Sequence, residues 1–440
     1  MKAGHSLNKA IRQRKSWIFS ITVVLLSLFL VLSACSSSKN DASNSGNRDM
    51  EYRSNSESGA PSKGEETTSG GDRKSISVEP LRQKEGGKRG YSNPDKIEQA
   101  GQLTAGEWDD IAAWDRFGNL LNSQEGDSSK RVWQFWNFNR LEVIVTAGGK
   151  AVSDARVELY AGKKAIWKAR TNTEGRAYVY AGLFESDTTN LGRYTVKVQS
   201  GQESKTTQEM DIPQQGSIKV DLSKGTALSD QVDIMFVVDT TGSMEDELNY
   251  LEAELKDVVK RVSDEHANQL GIRISANFYK DKHDDYIVKP YPFTTDINKV
   301  IDQFSKQKAD GGGDYPEAVD QALRDALHEH EWSKDARARL LFLVLDAPPH
   351  DEPQVIDEIK QLTEDAAEQG VRIIPVASSG VSAETEYLMR FMATATGGTY
   401  LFLTDDSGIG SDHLEPAVGE YEVKLLNDLL VEVINRYVQQ

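Results

Sequence analysis

The second half of the chain alternates continuous apolar runs with amphipathic ones, and this alternation limits the possible folds more than any other feature. Residues 232–238 are apolar except for Asp233, as expected for a strand covered on both faces. Between residues 248 and 262, leucine and valine recur at helical spacing, with charged residues opposite. Further strands are predicted at residues 272–279, 340–345, 371–376 and 399–403, and further helices at residues 315–329, 354–369, 383–395 and 420–437. The alternation predicts a doubly wound α/β domain with a mostly parallel sheet over residues 226–440.

Residues 140–222 have a different pattern, in which short runs of alternating apolar and polar residues are separated by turn residues. This spacing predicts a small all-β, antiparallel sandwich. Residues 152–159 and 171–177 resemble the immunoglobulin-like or carboxypeptidase-regulatory-like modules of secreted proteins, which implies a spacer or an accessory binding module. The aromatic-rich segment at residues 108–138 favours core packing over a stacking platform for a ligand, because large rings dominate core burial. Residues 107–225 are therefore predicted to hold this segment and the sandwich.

The first 35 residues have the pattern of a secretion signal, in which basic residues precede an apolar run at residues 17–32. The run ends in Leu-Ser-Ala-Cys35, which resembles the lipobox of bacterial lipoproteins. The resemblance implies cleavage before Cys35, its lipid modification with palmitate, and a protein anchored at the outward face of the cell membrane. The alternative is a permanent transmembrane anchor. Residues 36–106 are rich in Ser, Asn, Gly and charged residues, which predicts a disordered tether.

The net charge of −18 restricts the possible partners. Binding to nucleic acid requires clustered Lys and Arg side chains that displace counterions from phosphates, so this acidic composition argues against it. Metal ions and basic partners suit an acidic surface better.

Three loops of the predicted α/β domain carry oxygen donors. These donors are Asp239, Thr241 and Ser243 after the first strand, Asp314 in a glycine-rich loop, and Asp346 after a later strand. Because loops at the carboxyl ends of neighbouring parallel strands converge, we expect these side chains to lie close together. Carboxylates and hydroxyls are hard ligands that suit Mg²⁺, Mn²⁺ or Ca²⁺, and the set contains no Cys or His for zinc. An alternative for Asp239 or Ser243 is capping of the following helix.

The run D-T-T-G-S-M at residues 239–244 resembles the first loop, D-x-[ST]-x-S, of the von Willebrand factor type A domain and its metal-ion-dependent adhesion site. Residues 278–281 and 345–349 fall where members of that family carry later parts of the site. The resemblance covers residues 231–440 and implies a Rossmann-like fold.

The same resemblance implies the role of each ligand. Thr241 and Ser243 would contact the cation directly, with Mg²⁺ as the first expectation, whereas Asp239 and Asp346 would act through water. This chain departs from the family in the second loop, where glycine residues stand in place of a threonine that is often a ligand. Asp314 is predicted to take the place of that hydroxyl.

The leading functional hypothesis is metal-dependent adhesion, in which the cation keeps a position open for an acidic group of an extracellular or envelope protein. A scaffold subunit with a structural metal is the second hypothesis. A hydrolase that forms an aspartyl-phosphate on Asp239 is third, since haloacid-dehalogenase-like phosphatases need an aspartate where this chain has Thr241. With no base or nucleophile beside the oxygen donors, we expect no enzymatic activity. His328 and His330 are expected to face solvent rather than to bind metal, because residues two apart on a helix point to different faces.

Overall fold

The computed structural model describes residues 76–77, 99–187, 192–211, 215–267 and 269–439. The predicted signal, Cys35 and most of the predicted tether lie outside these residues. Among the helices within them, none is both long enough and apolar enough to span a membrane.

The elements that follow are those of the described residues. The strands are β1 (Ile76–Ser77), β2 (Thr104–Trp108), β3 (Arg140–Ala147), β4 (Lys150–Ala151), β5 (Arg156–Ala161), β6 (Lys164–Arg170), β7 (Arg176–Tyr180), β8 (Tyr194–Ser200), β9 (Glu203–Thr206), β10 (Gln215–Leu222), β11 (Gln231–Asp239), β12 (Gly271–Tyr279), β13 (Val288–Lys289), β14 (Ala338–Leu345), β15 (Val371–Ala377), β16 (Tyr400–Leu403) and β17 (Glu422–Leu425). The α-helices are α1 (Trp114–Leu121), α2 (Gln124–Trp133), α3 (Leu248–His266), α4 (Ile297–Phe304), α5 (Val319–Arg324), α6 (Pro353–Gln369), α7 (Ala383–Thr396) and α8 (Leu426–Val438). Two 3-10 helices, Gly242–Asp246 and Asp405–Ser407, and a π-helical turn, Asp325–Glu329, are also present.

One sheet organises the α/β domain. Its strand order in the described part of the chain is β1-β17-β2-β16-β15-β14-β11-β12-β13. The five strands from β16 to β12 run parallel to one another. Towards the edges, β13 is antiparallel to β12, and β2 is antiparallel to both β16 and β17. The predicted α/β fold with a mostly parallel central sheet is therefore confirmed.

Helices cover both faces of this sheet, because alternate residues of each strand point to opposite sides. Along β11, Ile234, Phe236 and Val238 pack in one core with apolar residues of α3, α4 and α8. Met235 and Val237 pack in a second core with α5, α6 and α7. The nearly continuous apolar run of β11 thus reflects burial on both faces, as a doubly wound architecture requires.

The segment between β3 and β10 forms two further sheets. One contains β10, β3 and β4 with β7 beside β3, and the other has the order β6-β5-β8-β9. The expectation of purely antiparallel pairing is wrong for β10 and β3, which run parallel along their whole length from Gln215↔Arg140 to Leu222↔Ala147. Because the chain enters β10 from β9 of the other sheet, the connection is a crossover rather than a hairpin, and a crossover permits parallel pairing.

The aromatic-rich segment packs against the α/β domain. Phe117, Trp133 and Phe135 are buried. The ring of Phe135 lies 5.5 Å from that of Phe391 on α7, and Trp133 Nε1 donates a hydrogen bond of 3.0 Å to the carbonyl oxygen of Glu384. The packing interpretation of this segment is confirmed.

Three predicted boundaries differ from the structure. The predicted border between residues 106 and 107 falls inside β2, which belongs to the large sheet. The helix predicted from residue 315 begins only at Val319, because the Glu317 N–H donates to Pro348 O at 2.9 Å and holds this segment against another loop. The helix predicted from residue 420 begins at Leu426, since β17 precedes it and pairs with β2.

The expectation for the two histidines holds for one of them. The His328 side chain is 42% exposed, whereas that of His330 is 5% exposed. His330 Nε2 lies 3.1 Å from Asp325 Oδ1 and 3.0 Å from Asn277 Nδ2. The prediction that His330 faces solvent is wrong, because the π-helical turn ends there and directs the ring towards β12.

Candidate functional site

The predicted oxygen-bearing loops lie at the carboxyl edge of the parallel strands. Asp239 is the last residue of β11 and is paired with Tyr279, the last residue of β12. Val238 pairs with Val344 of β14, so Asp346 follows its strand at almost the same level. This is the edge at which open α/β sheets bind their ligands.

The first loop is held by a short hydrogen-bond chain. Asp239 Oδ1 accepts from the Thr241 N–H at 2.8 Å and from Thr241 Oγ1 at 2.7 Å. Thr241 Oγ1 lies 3.1 Å from Ser243 Oγ. Asp239 and Thr241 are fully buried, whereas Ser243 is exposed. The loop therefore leads from a buried carboxylate through one hydroxyl to a second hydroxyl at the surface.

The capping interpretation of this loop is wrong. The residue that caps α3 is Glu247, and the 3-10 helix Gly242–Asp246 separates α3 from β11. Neither helix has a side-chain capping hydrogen bond at its N-terminus. Asp239 and Ser243 are thus free of the structural role that competed with ligand binding.

The glycine-rich second loop crosses over the first. The Gly242 N–H donates to Gly311 O at 3.2 Å, and the Asp310 N–H donates to Thr240 O at the same distance. The Gly312 N–H donates to Asp284 Oδ2 at 2.9 Å. Gly311 and Gly312 have φ angles of +78° and +72°, which glycine adopts without strain. Glycine is needed here because the loop passes close to its neighbours.

Glu317, which the sequence analysis did not single out, is the acid that the second loop directs towards the first. Its side chain is buried, and a Cβ on Gly312 would lie 3.1 Å from Glu317 Oε1 and 3.4 Å from Thr241 Cβ. Asp314, the predicted ligand, is exposed, and no described contact joins it to the first or third loop. The one signal for Glu317 in the sequence is a carboxylate shortly after the glycine run, which does not distinguish it from Asp314.

Three buried carboxylate oxygens at these loops have no hydrogen-bond partner among the described residues. They are Asp239 Oδ2, Asp346 Oδ1 and Glu317 Oε2. A buried acceptor without a donor costs about 1 to 3 kcal/mol, and more if it is charged. Such groups are uncommon in a folded protein unless a ligand, ion or water satisfies them.

The charges of these carboxylates oppose one another. Burial, followed by the charge of Asp346, raises the pKa of Asp239 to about 7. Burial also raises the pKa of Asp346 to about 6, with nearby Glu247 adding to the effect. Burial and the charges of Asp239 and Asp281 raise the pKa of Glu317 to about 9. The site is therefore short of positive charge when its carboxylates are ionised.

A divalent cation fits this donor set. It would satisfy the unpartnered oxygens, offset the repulsion, and find only oxygen ligands, as Mg²⁺, Mn²⁺ and Ca²⁺ prefer. Thr241, Ser243, Asp239, Asp346 and Glu317 are the residues that could hold it. In the described residues, no group of three or more His, Cys, Asp or Glu side chains is arranged to bind a metal on its own.

A ring of polar side chains surrounds the three loops. His350 Nε2 lies 2.8 Å from Asp281 Oδ1, so the side chain of His350 is engaged in a hydrogen bond. Lys280 is buried and forms ion pairs with Asp285 and Asp310. Because the Lys280 ammonium group is paired with these two acids, it is not placed to neutralise Asp239.

The fold and the site together define a doubly wound α/β domain with an oxygen-lined candidate metal site on the loops after β11 and β14. The family model described as von Willebrand factor A domain matches residues 233–405, which include all three loops. Over these residues the chain is therefore similar to a von Willebrand factor A domain, a type of domain associated in general with protein interaction.

The chain is also similar to part of a longer curated protein. A putative ariadne-like RING finger protein of Acanthamoeba polyphaga mimivirus is 25% identical over 215 residues. The alignment covers 45% of this chain and 20% of the viral protein, so the chain spans about a fifth of the length of that relative.

Proposed function

We propose that the protein binds a partner protein through a divalent cation, Mg²⁺ in the first instance, held by the loops after β11 and β14. Thr241 and Ser243 would ligate the ion through their hydroxyls, and Asp239 and Asp346 would hold it through water. The partner supplies an oxygen to the remaining position. This makes the domain an adhesion module and not an enzyme.

The main support for this proposal is a pair of buried carboxylate oxygens, Asp239 Oδ2 and Asp346 Oδ1, that have no hydrogen-bond partner within the described residues and lie beside the hydroxyl groups of Thr241 and Ser243. An ion at this place would satisfy both oxygens at once. The exposed position of Ser243 keeps one side of the ion open to solvent, where a partner can approach.

The aspartyl-phosphate alternative is less well supported. A phosphoryl acceptor needs a carboxylate oxygen within reach of a substrate. Asp239 is fully buried, and its Oδ1 already accepts two hydrogen bonds from Thr241. A scaffold with a structural metal is the second candidate, because the same buried oxygens would be satisfied by an ion that no partner touches.

The test is a pull-down from envelope extract with the protein as bait, in Mg²⁺ and in chelator. We expect a captured protein that is lost in chelator and lost with Ser243→Ala. Ser305→Ala, an exposed serine at the end of α4, is the matched control and should capture it normally. Capture that is equal in Mg²⁺, in chelator and with Ser243→Ala would contradict metal-dependent adhesion. If Mg²⁺ raises the melting temperature but changes no capture, the structural-metal alternative is correct.

We also propose that the protein is a bacterial lipoprotein, anchored through Cys35 at the outward face of the cell membrane. The support is the basic and apolar sequence before Leu-Ser-Ala-Cys35. This location would bring the domain into contact with envelope or extracellular proteins.

A further inference from the structure

We propose that the loop of residues 405–413 is a pH-sensitive strap, which protonated His413 holds closed against the start of α3 and which loosens when His413 loses its proton. The strap follows β16 and begins with the 3-10 helix Asp405–Ser407. It does not depend on the proposed function, because the side chains that close it are not among the residues that could hold the cation.

The imidazole ring of His413 bridges two carboxylates. Its Nε2 lies 2.8 Å from Glu247 Oε1, and its Nδ1 lies 2.8 Å from Asp405 Oδ1. An ionised carboxylate only accepts hydrogen bonds, and a neutral imidazole has only one N–H group. With both acids ionised, both contacts can be hydrogen bonds only when each ring nitrogen carries a proton. The geometry therefore fits the charged form of His413.

Glu247 anchors the strap to the body of the domain. It is fully buried, and besides the ring of His413 it accepts from the Ser379 N–H at 3.3 and 3.4 Å. Gly410 of the strap passes so close to Glu247 Oε1 that its position has no room for a Cβ. Glu247 thus joins the strap to the loop after β15, and it is a buried carboxylate that needs the charge of His413.

Asp405 closes the other end of the strap. Its Oδ1 accepts from the His413 N–H at 3.0 Å as well as from the ring. The side chain of Asp405 is 67% exposed, in contrast to that of Glu247. A neutral His413 would keep its single ring N–H towards buried Glu247 and present a lone pair to Asp405. Asp405 would then turn to water, so we expect the strap to open at this end.

The charges around His413 favour the closed form. Burial lowers the pKa of His413, but the hydrogen bonds and charges of Glu247 and Asp405 outweigh burial and raise it above its ordinary value. β2 packs beside the 3-10 helix, and its one charged side chain, Glu107, is paired with Arg436. The remaining charged side chains near the strap and the start of α3 are acids, namely Glu245, Asp246, Asp346, Asp406, Asp412 and Glu415.

The direction of the shift gives the pH range of the strap. Because folding raises the pKa of His413, the closed strap is fully stable below about pH 6.5, the ordinary pKa of histidine. It is lost as the pH rises through the raised pKa. Glu247 also raises the pKa of Asp346, so the strap lies beside the third loop. Its opening would admit water to that side of the acidic edge of the sheet.

The first experiment follows the histidine ring signals by NMR on the full chain with ¹³C-labelled histidine, in chelator. The signal of His413 is identified by its absence in His413→Gln. We expect His413 to titrate above about pH 6.5. A titration of His413 below this value would refute the proposal, since the ring would then be neutral in the folded protein at neutral pH.

The second experiment measures hydrogen exchange of the strap at pH 6 and pH 9, corrected for the intrinsic effect of pH, with β15 as the internal reference. We expect the wild type to lose protection at least about tenfold at pH 9. His413→Gln should be poorly protected at both values. Asp412→Asn, which changes an exposed acid of the strap, is the matched control and should behave as the wild type.

Asp405→Asn is the second variant, and its exposed position makes it safe for folding. An asparagine amide can accept from a protonated ring or donate to a neutral one, so protection of the strap should become nearly independent of pH. The proposal is wrong if the wild type keeps its protection at pH 9. It is also wrong if Asp405→Asn and His413→Gln show the same loss between pH 6 and pH 9 as the wild type, because another group would then be responsible.

Discussion

Replacement of Asp239 by asparagine should stabilise the metal-free protein at pH 8. Asp239 is fully buried, its Oδ2 has no hydrogen-bond partner in the part of the chain that the structure describes, and its pKa is about 7. At pH 8 the folded protein must therefore hold an ionised carboxylate that burial and Asp346 both disfavour. Asparagine has nearly the same shape, and its Oδ1 can still accept the two hydrogen bonds from Thr241.

The magnitude follows from the shift in pKa. A rise from 3.8 to about 7 is roughly three units, which corresponds to at most about 4 kcal/mol of folding free energy once the carboxyl is ionised. Part of this belongs to the pair with Asp346, and the new Nδ2 group leaves donors unpaired at about 1 to 3 kcal/mol. The net gain that we expect for Asp239→Asn is about 1 to 3 kcal/mol.

The direction of the shift in the pKa of Asp239 also determines how stability depends on pH. Folding raises the pKa of Asp239, so its burial costs the wild type no stability below pH 4, where the carboxyl group is protonated in both the folded and the unfolded protein. The wild type loses stability as the pH rises through about 7. The advantage of Asp239→Asn should therefore be absent below pH 4, increase between pH 4 and 7, and reach its full size above pH 7.

The assay is urea denaturation in chelator at pH 4, 6 and 8, repeated in saturating Mg²⁺. Because the ion would bind the wild type more tightly, Mg²⁺ should reverse the order of stability. Asp314→Asn, at an exposed position, is the control and should change stability by less than about 0.5 kcal/mol. The reasoning fails if Asp239→Asn is less stable than the wild type in chelator at pH 8 while Asp314→Asn is unchanged.

Two further predictions concern other parts of the chain. Arg390 is fully buried and forms hydrogen-bonded ion pairs with Asp110 and Glu386, so Arg390→Met should leave two buried acids unpaired and cost about 3 to 5 kcal/mol in thermal denaturation. An unchanged melting temperature would show that these ion pairs do not stabilise the contact between the aromatic-rich segment and α7. If the N-terminus carries a lipid anchor, Cys35→Ser should move the protein from the membrane fraction to the soluble fraction, and retention in the membrane would favour a transmembrane anchor instead.

The sequence was most informative where burial is continuous. The runs that predicted β11, β14 and β15 are mostly apolar and buried on both faces, so hydrophobicity marks them. By contrast, β2 is a five-residue strand whose partners, β16 and β17, lie about 300 residues further along the chain. No local sequence pattern predicts the pairing of strands so far apart in the chain, because tertiary contacts determine it.

Prediction from the sequence has the same limit for single residues of the candidate site. Asp239, Thr241, Ser243 and Asp346 could be selected because each lies at the end of a strand or shortly after it, and strand ends are predictable. Glu317 follows no strand. Its place depends on a backbone hydrogen bond to Pro348 and on the path of a loop with two positive φ angles. The sequence therefore indicated an acid near the second loop but could not indicate which one.

The β-rich segment is joined to the α/β domain more firmly than a spacer would be. Tyr180 Oη donates a buried hydrogen bond of 2.8 Å to Thr394 O on α7. Arg339 at the start of β14 donates to both carboxylate oxygens of Asp154, at 2.9 and 3.2 Å, and its side chain is 4% exposed. Residues of the segment also share one continuous core with α5, α6 and α7. Because β14 leads directly to Asp346, the segment supports the same strand that positions the third loop, and it is better understood as part of the framework of the site than as a spacer.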